Sequence, residues 1–187
     1  MRLLTATILG AIVFGLGSAQ AQPAPATPPP TPMTLTSSAF ADGAVIPDKY
    51  TQASTMPVSP ALSWENVPAG TVSFALIMHD PDTAPNKGSA DVLHWMAFNI
   101  PATARSLPEN VPTTAGLPDG TVQPNNLRGT PGFMGPGARG VYHHYTLELY
   151  ALDTKLNLTA AATRPEVIAA MDGHIIGKAA YVGRFHR

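Results

Sequence analysis

Five polar side chains of types that bind anions or metals stand at the ends of apolar segments. They are Asp80, Asp82, His94, His143 and Tyr145. Imidazole and phenol groups donate hydrogen bonds to phosphate or carboxylate oxygens, and carboxylates orient histidines or meet a cationic group on a ligand. If the apolar segments are neighbouring strands, these groups converge at one edge of the core. The pattern predicts a small, donor-rich pocket for an anion, above all a phosphate monoester or a carboxylate.

A long stretch rich in Gly, Pro and Asn, residues 113–140, lies between the second and third of these segments. It has neither the helix nor the strand period, and a loop of this length in a compact domain is usually functional or hides an element. We expect backbone amides of its glycine-rich part, 132–140, to add donors to the pocket. Arg139 either adds a positive charge there or is a solvated loop residue.

Each of these features also has an ordinary structural interpretation. Asp80-Pro81-Asp82 suits a capped turn, a histidine at a strand end suits a structural hydrogen bond, and Tyr145 suits core packing. A metal-dependent hydrolase is an alternative, because the two carboxylates and two histidines are zinc-ligand types. Against it, the sequence has no His-x-His or HExxH spacing, and a serine hydrolase would need a G-x-S-x-G elbow that is absent.

Three predicted strands must position the polar groups, and they span residues 71–80, 94–100 and 142–152. Each alternates with the two-residue period of a strand, so that Asp80 falls on the apolar face of the first. In the third, His143 and Tyr145 share a face with Leu147 and Leu149. In the second, the alternation predicts one face made of His94, Met96, Phe98 and Ile100.

Weaker signals complete the predicted fold. Shorter strands are expected within 33–40 and 61–64, and a last strand at 181–185. One helix is well signalled by Thr163 as N-cap, followed by Pro and Glu, with Gly173 as C-cap. A second short helix is expected at 174–180. The sum is a mainly β protein, an antiparallel β sandwich with one or two short C-terminal helices.

The N-terminus predicts export to the periplasm or the medium. Arg2, an uncharged apolar run over 3–17 and Ala19-Gln20-Ala21 have the order of a signal peptide, residues 1–21. An uncleaved membrane anchor is the alternative, but the run is short for a membrane span. The proline-rich stretch 22–32 predicts a disordered linker, and the folded domain is expected to span 33–187.

Composition excludes several classes of function. The chain of 187 residues has 11 Lys+Arg, 12 Asp+Glu and no cysteine, so neither a disulfide nor a lipidated cysteine is available. No basic stretch with interleaved aromatics indicates nucleic-acid binding, and no polybasic or amphipathic segment indicates a membrane surface. No cofactor is predicted. A homodimer through an exposed sheet edge stays open.

The order and spacing of several short motifs resemble the phosphatidylethanolamine-binding protein family, closest to its bacterial Raf-kinase-inhibitor-like branch. The motifs are SPALSW at 59–64, DPD at 80–82, HW through Asn-Ile-Pro at 94–101, Gly135-Pro136, and His-x-Tyr from 143 running into LELYALD. Together they cover nearly all of 33–187.

The resemblance implies a β sandwich with a small anion-binding pocket at one end. It implies pocket roles for Asp80, Asp82, His94, Pro136, His143 and Tyr145. The family is regarded as ligand-binding and regulatory, without an established catalytic mechanism, and its members bind phosphate-bearing head groups. The implied function is exported binding of a small anion or phospholipid head group, with a regulatory role. A protein-interaction module such as a protease inhibitor is the alternative.

The sequence departs from the family pattern in two places. The family's His-Arg-Tyr is His143-His144-Tyr145 here, and alternation turns residue 144 away from the pocket, so we expect the change to alter an outer salt bridge. The loop 135–140 lacks the second proline common in the family, which makes ligand size and selectivity harder to predict than the pocket itself.

Overall fold

The computed structural model describes residues 31–187 of the chain. It contains seven strands, one α-helix and two single-turn 3-10 helices at Asp48–Tyr50 and Pro85–Lys87. The strands and helix are β1 (Thr34–Thr36), β2 (Leu62–Glu65), β3 (Ser73–Asp80), β4 (Val92–Pro101), β5 (Ser106–Leu107), β6 (His143–Leu152), α1 (Arg164–Met171) and β7 (Ile175–Phe185).

The strands form two antiparallel sheets, in the orders β1-β2-β5 and β4-β3-β6-β7. The main core lies between them, because alternate residues of both sheets point inward and bury apolar surface together. Trp64 of the small sheet meets Phe74 of the large sheet edge to face, with ring centroids 5.3 Å apart. The predicted antiparallel β sandwich is therefore confirmed.

The other face of the large sheet carries a second core, which α1 covers. It joins Ala75 and Ile77 of β3 and Met96 and Phe98 of β4 to Val167 and Met171 of the helix. Burial on both faces explains why β3 is apolar along nearly its whole length. The large sheet is thus a rigid middle layer, and its strand ends are fixed by packing from two sides.

The predicted single face of β4 is wrong because the strand contains two irregularities. Its pairing with β3 shifts between Met78 and His79 and again between Phe74 and Leu76. Each shift changes the alternation, so Met96 and Phe98 pack on the helix side while Ile100 lies in the main core. The first shift falls at His94 and brings its ring to the side of the main core, against Tyr145.

The helix forms as predicted, but its expected successor does not. The Glu166 carboxylate accepts the Thr163 backbone N–H at 2.7 Å, which completes the N-terminal cap, and Gly173 has a left-handed φ of 78° after the last turn. The segment 174–180 is not a second helix, because from Ile175 onward it pairs with β6 as the first half of β7. Hydrogen bonding to β6 therefore outweighs the weak local preference of these residues for a helix.

Two predictions concern the N-terminal residues 1–32, most of which lie outside the described part of the chain. The signal peptide at 1–21 lies outside the described residues, as does most of the linker at 22–32. Its last two residues, Thr31 and Pro32, belong to no strand or helix. Across residues 31–187, no helix has the length and apolar character needed to cross a bilayer.

Candidate functional site

Strand ends of the large sheet bring four of the five predicted polar groups to one cavity of about 290 Å³. Asp80 ends β3, His94 lies near the start of β4, and His143 begins β6. Because neighbouring strands run antiparallel, the end of β3 meets the beginnings of β4 and β6 at the same edge. The lining includes Asp80, His94, His143 and Tyr145, together with Gln52, Thr83, Val92, Leu127, Arg128, Met134, Gly137 and Ala138.

Asp80 and His143 form a hydrogen-bonded pair in the cavity wall, in which Asp80 is buried and His143 half-buried. The Asp80 Oδ2 atom lies 2.8 Å from Nδ1 of His143, and its Oδ1 accepts the Asp82 backbone N–H at 3.0 Å. Both carboxylate oxygens are therefore occupied by the protein. With Nδ1 held by Asp80, the imidazole of His143 has Nε2 available for a ligand, and in its imidazolium form Asp80 neutralises it.

His94 is held in one tautomer by the loop that follows β4. Its Nδ1 donates to the Met134 carbonyl at 2.8 Å, while the Met134 backbone N–H donates back to the His94 carbonyl at 2.8 Å. Since a carbonyl only accepts, Nδ1 carries the proton and Nε2 of the neutral ring is an acceptor. Burial lowers the pKa of His94, so the neutral form is favoured.

Tyr145 fastens the glycine-rich loop to the cavity wall. Its buried hydroxyl accepts the backbone N–H groups of Gly137 at 3.2 Å and Ala138 at 3.0 Å. Burial is the largest cause that raises the pKa of Tyr145 to about 12, and the nearby Asp80 charge adds to it, so the hydroxyl stays protonated. The expectation that loop amides serve as anion donors therefore fails at these two positions, because Tyr145 already uses them.

Gln52, which also lines the cavity, holds the same loop, and this determines the position of Pro136. The Gln52 side chain donates to the Gly135 carbonyl at 2.9 Å, and its backbone N–H donates to the Pro136 carbonyl at 2.8 Å. Pro136 is buried and does not appear in the cavity lining. It shapes the loop rather than contacting the cavity. A Cβ on Gly137 would meet the Gln52 amide nitrogen at 2.5 Å, so a larger residue there would have to displace the end of that side chain.

Asp82 also lies outside the cavity lining, on the rim. Its Oδ2 accepts the His144 backbone N–H at 2.6 Å and lies 2.8 Å from Nδ1 of His144. The backbone hydrogen bond from His144 is the largest cause that lowers the pKa of Asp82. Residue 144 thus points away from the cavity, as the alternation of β6 predicts, and the predicted outer salt bridge is replaced by this contact with Asp82.

Arg128 is the cationic side chain that sequence reasoning missed. It lines the cavity mouth from an exposed turn, whereas Arg139, for which the sequence left open a pocket charge or a solvated loop position, is exposed and not part of the lining. The four-residue run Asn126–Gly129 has turn chemistry that could have been noticed. No local pattern shows that the turn reaches the cavity, because that depends on the path of residues 113–140 along β4.

The described residues do not supply the ligand set that the metal-hydrolase alternative requires. Among residues 31–187, no group of three or more His, Cys, Asp or Glu side chains is placed to hold a metal ion. The Nδ1 atoms of His94 and His143 are committed to Met134 and Asp80.

Comparison with known proteins gives a consistent answer. Residues 36–186 match the family model described as phosphatidylethanolamine-binding protein. A UPF0098 protein of Methanothermobacter thermautotrophicus is 44% identical over 153 residues, 82% of this chain and 98% of the relative. The crystal structure of the PEBP homologue CT736 from Chlamydia trachomatis superposes with a TM-score of 0.75 at 33% identity, covering 83% of this chain and 98% of that one. Escherichia coli YbcL gives a TM-score of 0.71 at 30% identity, covering 84% and 99%.

The chain therefore belongs to the phosphatidylethanolamine-binding protein family. This confirms the family predicted from the motifs. Membership places the chain among binding proteins rather than in a known class of enzymes.

Proposed function

We propose that the cavity binds a small phosphate-bearing anion, either free or as a phospholipid head group. The observation that carries the proposal is the Asp80–His143 pair, which lines the same cavity as His94 and Arg128. An imidazolium His143 donates through Nε2 to a phosphate oxygen, and the guanidinium of Arg128 adds a fixed positive charge. Buried His94 offers an acceptor to a hydroxyl or ammonium group of the ligand.

Cavity size supports a head group rather than a larger ligand. A volume of about 290 Å³ lies just below the range for small-molecule sites, roughly 300–1,000 Å³. The loop wall is already fastened by Tyr145 and Gln52, so little ordering is needed when a ligand enters. These features favour a compact anion, with any attached chain remaining outside the mouth.

Calorimetric titration of the full chain with phosphate and phosphoethanolamine tests this proposal. We expect saturable binding that is weakened at least tenfold in His143→Ala, because the donor and the partner of Asp80 are lost together. His174→Ala is the matched control, since it removes another His–Asp pair, 2.7 Å from Asp153, at the opposite end of β6 and β7. Absence of binding in the wild-type chain, or equal weakening in both variants, would refute the proposal.

We further propose that the chain is exported and acts there in a regulatory role as a binding protein. The order of Arg2, the apolar run 3–17 and Ala19-Gln20-Ala21 supports cleavage after residue 21. The intact mass of protein recovered outside the cytoplasm distinguishes this from retention of the segment. A mature chain that begins at Gln22 supports export, and an uncleaved chain in the membrane fraction contradicts it.

A further inference from the structure

Arg128 supplies the net positive charge of the cavity. In the cavity wall, Asp80 and an imidazolium His143 cancel each other, and burial favours the neutral form of His94. Among residues 31–187, the Lys and Arg side chains with a carboxylate partner are Lys49, Arg164 and Lys178. Arg128 is not one of them, so no carboxylate in the described part of the chain neutralises its charge, which is free to act on a ligand.

The side chain of Asn126 fastens the turn that carries Arg128. Asn126 is 7% exposed, and its Nδ2 donates to the Gly132 carbonyl at 3.0 Å. Its Oδ1 accepts the Arg128 backbone N–H at 2.9 Å and the Thr130 hydroxyl at 3.3 Å. An Asn side chain that accepts the backbone N–H two residues further on favours a single turn conformation, so this amide fixes where the Arg128 side chain starts.

A backbone hydrogen bond places this turn beside His94. The Leu127 N–H donates to the Leu93 carbonyl at 3.1 Å, and Leu93 directly precedes His94 in β4. Burial is the largest cause that lowers the pKa of His94, and the charge of Arg128 lowers it further, which indicates that this charge reaches the cavity. The position of the turn therefore determines the electrostatic potential that a ligand meets.

We propose that Asn126 is a positioning residue, which holds Arg128 at the cavity and thereby makes the site select free phosphate monoesters over phosphodiesters. The inference rests on the proposed function and narrows its ligand, because a phospholipid head group is a diester. At pH 7 a phosphate monoester carries about −1.5 to −2 charges, whereas a diester carries a single negative charge. Since the Asp80–His143 pair has no net charge, the additional charge of the monoester is stabilised by Arg128.

Calorimetric titration of the full chain at pH 7 with phosphoethanolamine and with glycerophosphoethanolamine compares the two ligand classes. Both compounds carry the same ammonium group, and the second is a diester with an added glyceryl group. We expect the wild type to bind the monoester about tenfold more tightly, because the open mouth partly screens the additional ion pair with Arg128. Arg128→Gln is expected to lower this preference to about twofold, since the charge is removed and the turn is kept.

A double-mutant cycle tests whether Asn126 acts through Arg128. Asn126→Ala is expected to lower the preference to about twofold although the arginine is still present, and the double variant should show no further loss. Independent effects of the two changes would multiply and carry the preference below one, which would overturn the positioning role. Asn126→Ser, which keeps a smaller polar group, takes the place of Asn126→Ala if that variant does not fold.

Asn99→Ala is the matched control, because Asn99 fastens a different loop near the other end of β4. Its side chain donates to the Leu156 carbonyl at 2.9 Å and accepts the Leu156 N–H at 2.8 Å. We expect this variant to lose stability and to keep the wild-type preference, and loss of the preference here would also overturn the inference. An unchanged preference in Arg128→Gln refutes the selection of monoesters alone. Absence of wild-type binding to both compounds refutes the proposed function, and the inference with it.

Discussion

Replacing Tyr145 by Phe tests whether its hydroxyl holds the loop wall of the cavity. The change removes one oxygen, which accepts the N–H groups of Gly137 and Ala138. The ring itself stays in the core, where it meets His94 edge to face at 5.0 Å. The variant therefore isolates the hydrogen bonds from the packing.

The expected loss of stability follows from the two orphaned amides. A buried donor left without a partner costs about 1–3 kcal/mol. Ala138 is buried and takes the larger share, while Gly137 is half-buried and water can reach it in part. The sum is about 2–4 kcal/mol, which corresponds to a fall in Tm of roughly 5–15 °C for a domain of this size.

Thermal unfolding of the variant, compared with two other tyrosine variants, gives the measurement. Tyr142→Phe changes an exposed ring and is expected to stay within about 0.5 kcal/mol of the wild type. Tyr181→Phe removes one buried hydrogen bond to the Phe40 carbonyl and is expected to cost about 1 kcal/mol.

Amide hydrogen exchange then localises the effect. In Tyr145→Phe, exchange should accelerate at Gly137 and Ala138 before it does in β3 or β6. An unchanged Tm, a loss no larger than that of Tyr181→Phe, or undisturbed protection at these two amides would refute the role given to the hydroxyl.

Two further predictions concern the sheet and the loop. His79 has Nδ1 2.5 Å from Asp91 and Nε2 3.4 Å from the Glu148 carboxylate, and the interaction with Glu148 is the largest cause that raises the pKa of His79. Protonated His79 therefore stabilises the fold fully below the unfolded pKa of about 6.5, and this stabilisation is lost as the pH rises through the raised pKa of the folded state. The difference in Tm between the wild type and His79→Gln should accordingly shrink from pH 6 to pH 8.5, and a constant difference contradicts the prediction. Gly137→Ala should displace the end of the Gln52 side chain and break its hydrogen bond to the Gly135 carbonyl, which costs about 1 kcal/mol and weakens phosphate binding. Gly116→Ala, with open space around its Cβ, should change neither the Tm nor the binding measured by calorimetry, and equal effects of the two variants contradict the prediction.

Alternation along the chain predicted much of the site, because the period of a strand is a local property. It placed Asp80, His143 and Tyr145 correctly on the core side of their strands and turned His144 outward. It failed along β4, where irregular pairing with β3 changes the face of each residue. The position of a bulge depends on how the partner strand pairs, and the sequence of residues 94–100 alone does not indicate it.

Contacts between distant segments were also beyond local patterns. The loop 132–140 has the composition of an anion-binding loop, yet Tyr145 takes two of its amides. The predicted second helix failed for a related reason, since pairing with β6 decides the conformation of residues 175–180.

The double link between His94 and Met134 has a consequence for discrimination among oxyanions. Because Nδ1 is the protonated nitrogen, Nε2 can only accept a hydrogen bond while the ring is neutral, and burial favours that form. In the proposed complex, a phosphate that keeps one proton can donate it to Nε2. Sulfate carries no proton at neutral pH and would place an oxygen lone pair against a nitrogen lone pair. The fixed tautomer of His94 would thus allow the cavity to discriminate between phosphate and sulfate, although the two anions have nearly the same shape.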